Sequence, residues 1–143
     1  MKKLLLLTIA IVFFALPASA QTTFPERCLG VWAGKMLIYK EGAVKDSVDV
    51  RLTVARTKTP GDYTWRTDYL SKERPMTKDY TLRVKDAAKG HYLTDEGGGV
   101  ELHEYVFGDK MYDVFETGGV MLTATYEIRG KELIFEVSIL EIV

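Results

Sequence analysis

Ser47-Val48-Asp49-Val50-Arg51-Leu52-Thr53-Val54-Ala55-Arg56 sets Val48, Val50, Leu52 and Val54 against Asp49, Arg51, Thr53 and Ala55. Successive side chains of a β-strand point to opposite faces, so this period of two assigns an inner, apolar face and an outer, polar one. A helix would scatter the same four apolar residues around its axis.

Working outward, the same pattern recurs in short segments, most closed by a glycine-containing turn. Upstream, Trp32–Tyr39 reads as a first strand, joined to Ser47–Arg56 through Glu41-Gly42-Ala43. Downstream, Pro60-Gly61-Asp62 is a turn in which proline presets φ and glycine permits positive φ. Tyr63–Leu70 follows, then a loop with Pro75, then Thr77–Val84 and a turn at Gly90. His91–Glu96 and Val100–Phe107 flank Gly97-Gly98-Gly99, and Gly108-Asp109 leads into Met111–Thr117. Gly118-Gly119 and Gly130-Lys131 bound Val120–Ile128, and Glu132–Leu140 closes the series with Leu133, Phe135, Val137 and Ile139 in phase. This regular spacing with hairpin-length links predicts an all-β fold: a single antiparallel up-and-down β-barrel of about 8–10 strands. The phase of the strands between His91 and Phe107 is ambiguous.

The N-terminal stretch reads differently. Lys2 and Lys3 precede an apolar run from Leu4 to Leu16, and Ala18-Ser19-Ala20 has the small-x-small form of a cleavage site. Residues 1–20 are therefore expected to be a secretory signal peptide, and residues 21–143 the barrel domain. The expected location is the periplasm or the extracellular medium. Cys28 follows Pro25-Glu26-Arg27, which is not a lipoprotein signal. Thr23-Phe24-Pro25-Glu26 has the form of a capping box, which predicts a short N-terminal helix ending at Gly30 and placed to plug one end of the barrel.

Composition excludes several function classes. Without Lys2 and Lys3 the chain carries 17 basic and 20 acidic residues, so there is no cationic excess for nucleic acid. No second apolar run of spanning length follows, so an integral membrane protein is not expected. A single cysteine allows no intramolecular disulfide, and Cys28 is expected to be a small buried hydrophobe, the alternative being a reactive thiol or an intermolecular bridge.

Gly30-Val31-Trp32 resembles the Gly-x-Trp signature at the start of the first strand in lipocalins, within the calycin superfamily of ligand-binding barrels. In that family the tryptophan packs across the closed end of the barrel. The longer Gly30-Val31-Trp32-Ala33-Gly34-Lys35 also resembles the opening of nitrobindin-like haem barrels, but those ligate haem through a histidine near the C-terminal strands, and no histidine follows His103. No cofactor is expected. Lys40 to Asp46 leaves no room for the helix pair of fatty-acid-binding proteins. Thr67-Asp68-Tyr69 has the letters of a lipocalin signature but stands too early in the chain. The resemblance implies a lipocalin-like secreted bacterial barrel.

No catalytic constellation is recognisable, so an enzyme is not expected. Gly30 to Lys35 lacks the spacing and the Ser or Thr of a P-loop. His103-Glu104 opens like a zinc-protease motif, but Phe107 stands where the second histidine is required; no metal site is expected. Asp95 and Glu96 are neighbours on a strand, so they face opposite ways. The aromatic residues carry the functional expectation. Trp32, Trp65, Tyr69 and Tyr80 are candidate lining of an interior pocket. Lys78 falls in phase with Tyr80, Leu82 and Val84, where it would meet an anionic head group or reach solvent at the rim. Arg66 and Arg83 fall on the outer phase. The expected function is to hold a small hydrophobic or amphipathic molecule, with Trp32, Trp65, Tyr69, Lys78, Tyr80 and Leu82 as ligand-binding residues. The alternative is a protein-interaction or inhibitor barrel with a filled core and a protein partner.

Overall fold

The computed structural model describes residues 22–141. The signal-peptide expectation at residues 1–20 lies outside them. A helical turn, α1 (Phe24–Arg27), precedes nine strands: β1 (Gly30–Lys40), β2 (Ala43–Arg56), β3 (Asp62–Tyr69), β4 (Met76–Asp86), β5 (His91–Gly97), β6 (Val100–Phe107), β7 (Lys110–Thr117), β8 (Val120–Arg129) and β9 (Glu132–Glu141). Each strand pairs antiparallel with the next, in the order β1 to β9. The sheet curls into a nearly closed up-and-down barrel. Among the described residues no ladder joins β1 to β9. The two face each other across a cleft of about 360 Å³, between Trp32, Gly34 and Met36 on one side and Leu133 and Phe135 on the other.

The alternation of β2 sets the register. Trp32 stands opposite Leu52, and Val54 opposite Trp65. Trp65 in turn stands opposite Tyr80. Leu52 and Val54 are buried, while Arg51 and Ala55 are exposed. The inner face continues through Leu82, Tyr92 and Met111, which are almost fully buried. The phase between His91 and Phe107, ambiguous in sequence, is fixed here: Tyr92 and Thr94 point inward and are buried, as does Glu104.

One end of the barrel is filled. Phe24 and Cys28 lie among Val54, Tyr63, Trp65, Leu82, Tyr92 and Met111. Trp32 packs against this cluster, and its indole N–H donates to the carbonyl of Cys28 at 2.8 Å. Burial pushes the Cys28 thiol up to about 12, so it behaves as an apolar filler rather than a nucleophile.

The short helix differs from the expected capping box. Thr23 is the N-cap, but its side chain makes no cap hydrogen bond. Glu26 turns outward from the helix instead. It accepts from Arg56 Nε at 2.9 Å and from the Tyr63 hydroxyl at 2.7 Å. A two-point guanidinium pair with the barrel wall outcompetes a local reach-back to Thr23. Arg27 pairs with Asp109, so both polar side chains of the helix are tied to the barrel. The helix ends at Arg27 with Cys28 as its cap, and Gly30, where termination was expected, already belongs to β1.

One turn is sterically tight. Gly90 has φ 62°, and its carbonyl accepts from the Val106 N–H at 2.8 Å. A Cβ built there would stand 2.5 Å from the Val106 carbonyl oxygen, so only glycine lets β5 start this close to β6. At the β7–β8 hairpin Gly118 and Gly119 take φ 57° and 79°, the backbone of a two-residue turn whose twist matches the flanking strands.

Candidate functional site

Above the filled end the inner faces of β3 to β9 diverge around a cavity of about 590 Å³. Its position follows from side-chain size along the strands. Bulky residues crowd the end that α1 plugs, whereas Thr67, Thr94 and Ala124 face inward higher up and leave room. The walls are partly apolar, with Leu102, Phe115, Leu122 and Val137 among them. Tyr126 stands edge-on to Trp65 at 5.1 Å between ring centroids and stacks on Phe135 at 4.6 Å.

The expected site residues divide. Trp65, Tyr69, Lys78 and Tyr80 all line this cavity. Lys78 is exposed, with Nζ 5.9 Å from the centroid of the Tyr80 ring, which places it at the rim rather than in the interior. Leu82 belongs to the filled end and is fully buried there. Trp32 lines the cleft between β1 and β9. Four of the six are thus brought together, while Leu82 supports the floor and Trp32 the seam.

Two buried residues that line the cavity are not among the expected ones. Glu104 on β6 and Asp113 on β7 are register partners, 4% and 7% exposed. The Thr94 hydroxyl donates to Glu104 Oε1 at 2.6 Å. Glu104 Oε2 and Asp113 Oδ1 have no hydrogen-bond partner, nor has the indole nitrogen of Trp65. Burial pushes the Glu104 carboxyl up to about 8, Thr94 opposing this and the charges of Asp113 and Glu96 adding to it. Burial also raises Asp113 to about 6, with Glu96 contributing. A signal for both existed in the sequence. Val100-x-Leu102-x-Glu104-x-Val106 and Met111-x-Asp113-x-Phe115 each carry an acid in an otherwise apolar phase.

Other polar clusters lie on the outer wall. Asp95 pairs with Arg83, while its neighbour Glu96 lines the cavity. Arg83 also pairs with Asp62 and Glu101, and Arg66 with Asp68. His91 and His103 stack, with Nε2 and Nδ1 2.8 Å apart, and His91 stacks on Tyr105. Among the described residues no group of three or more His, Cys, Asp or Glu side chains is placed to hold a metal ion. No helix among them is long and apolar enough to cross a membrane.

Comparison with protein-family models, with curated proteins and with solved structures finds no match.

Proposed function

We propose that this protein is a binding barrel that holds one small, partly apolar molecule in the open half of its interior. The supporting observation is the cavity of about 590 Å³ above the plugged end. Small-molecule sites typically span about 300–1,000 Å³ and combine apolar walls with a few convergent polar groups. Burial of the apolar part of the ligand would supply affinity at ~25 cal/mol per Å². Groups from Thr94, Glu104, Asp113 and Trp65 would fix its orientation. The reading is that of a lipocalin-like barrel, in keeping with Gly30-Val31-Trp32 and with Trp32 packed at the filled end. The leader-like residues 1–20 support work in the periplasm or the extracellular medium.

Trp65 serves as a built-in reporter because it lines the cavity, whereas Trp32 lies at the seam. In the Trp32→Phe protein, a brominated medium-chain alcohol is expected to quench the remaining tryptophan saturably, since bromine quenches on contact. Quenching no stronger than that of free tryptophan would mean that the interior does not admit such a molecule.

A further inference from the structure

The open half of the barrel carries a charge pattern that narrows the ligand class. We infer that the interior is built for a cation: a small amphipathic molecule whose protonated amine is held between Glu104 and Asp113. This rests on the reading that the cavity holds a small molecule, and it says which kind.

Geometry carries the inference. Glu104 and Asp113 are directly opposite each other in an antiparallel pair. Cβ atoms of such partners lie about 4.5–5.5 Å apart, a span that one ammonium group can bridge. Each residue is more than nine-tenths buried and keeps an unpartnered oxygen, Oε2 on Glu104 and Oδ1 on Asp113. Asp113, whose carboxyl titrates at about 6, is ionised at neutral pH and can only accept hydrogen bonds, so its missing partner is a donor. A buried acceptor without one is costly, and a ligand donor removes that cost. An ammonium placed beside Glu104 displaces to solvent the proton that burial keeps on that carboxyl.

The surrounding charge agrees. Glu96 and Glu116 also line the cavity, and Glu116, like the cation Lys78, is exposed at the rim. The expectation that Lys78 meets an anionic head group is therefore turned around. An anion entering past Lys78 would meet Glu96 and the ionised Asp113, whereas an ammonium is drawn toward them. Aromatic faces of Trp65 and Tyr126 stand close by, and aromatic faces attract organic cations. Trp65 offers its unpartnered N–H as a donor, so a hydroxyl or carbonyl beside the amine would also be met. A bare metal ion fits less well, because it needs more converging ligands than the two buried carboxylates supply.

The test compares three probes with one tail, octylamine, octanol and octanoate, titrated calorimetrically into the protein near neutral pH. Octylamine is expected to bind at least about tenfold more tightly than either of the others, the size of one charge-assisted hydrogen bond to a buried acceptor. In the Glu104→Gln, Asp113→Asn double variant that preference should vanish while octanol binds as before. Should the double variant fail to fold, Lys78→Gln gives a second reading: octylamine should bind more tightly and octanoate less. Equal binding of all three probes, or a preference for octanoate, would overturn the cation assignment and leave the ligand-holding reading intact. Binding of none of the three would overturn both.

Discussion

Glu104 and Asp113 stand opposite each other on β6 and β7, both buried, each with one carboxylate oxygen that no side chain or backbone group satisfies. Groups in this state are expensive to keep in a folded protein. Both line the internal cavity rather than the packed end, which is the ground for the proposed ligand site.

The cost appears as a pH dependence of stability. Glu104 titrates near 8 in the folded protein against an ordinary value near 4.5, so between those values the folded state holds more protons than the unfolded state. Stability is then fully present below about pH 4.5 and is lost as pH rises through about 8. Asp113 adds a similar loss between about 3.8 and 6. The groups facing Glu104 are Thr94 and Glu96 from β5, Asp113 from β7 and Tyr126 from β8, with Tyr69, Lys78 and Tyr80 across the cavity. Glu104→Gln removes the titration, so its melting temperature should exceed that of the wild type at pH 8 and its profile from pH 4.5 to 8 should be flatter. The gain at the alkaline end should be on the order of a few kcal/mol. Thermal melts across this range check it.

Filling the cavity should separate binding from folding. Ala124 faces inward between Asp113 and Val137 in the ladder and lines the cavity. Ala124→Phe places a ring in that space without touching the plugged end. Probe affinity should fall at least about tenfold while stability changes by less than ~1.5 kcal/mol. Titration calorimetry and denaturant melts on the same preparation measure the two effects.

The plug is structural. Phe24 is 3% exposed and packs against Trp65 with ring centroids 6.5 Å apart. Phe24→Ala should cost about 3–5 kcal/mol, the range for deleting a buried aromatic side chain. Arg56→Ala should cost much less, because Arg56 is mostly exposed and loses only a surface pair with Glu26. Urea midpoints rank the two.

Gly90 tests the tight approach of β5 and β6. In Gly90→Ala the new methyl would meet the Val106 carbonyl oxygen at 2.5 Å while the backbone keeps a positive φ. A loss of about 2–4 kcal/mol is expected. Gly98→Ala, at a position with open space and φ 61°, should cost only the conformational share of that, about 1 kcal/mol. Denaturant melts of the pair separate collision from backbone strain.

Much of the barrel is legible in the sequence because its physics is local. The alternation Val48 to Val54 and the paired glycines between segments fix strands and hairpins without reference to the rest of the chain, and the observed ends lie within a few residues of those expected. The capping box fails because its competitor is remote: Arg56 lies thirty residues from Glu26. The phase of β5 and β6 is obscured by the register shift between Asp95 and Gly97 and by Glu104, an acid that interrupts the apolar alternation. That same acid lines the candidate site beside its register partner Asp113. Leu82 shares the phase of the lining residues, but phase separates only inside from outside. It does not tell a filled level of the barrel from an open one, which depends on what α1 brings to one end.

The central claim, that the interior holds a small molecule, is tested most directly by native mass spectrometry of the protein isolated from its native host, beside Ala124→Phe prepared in the same way. A stoichiometric small-molecule adduct on the wild type that is absent from Ala124→Phe is the predicted result. Wild-type protein that carries no adduct, and acquires none on exposure to lipid and metabolite extracts, would contradict the account.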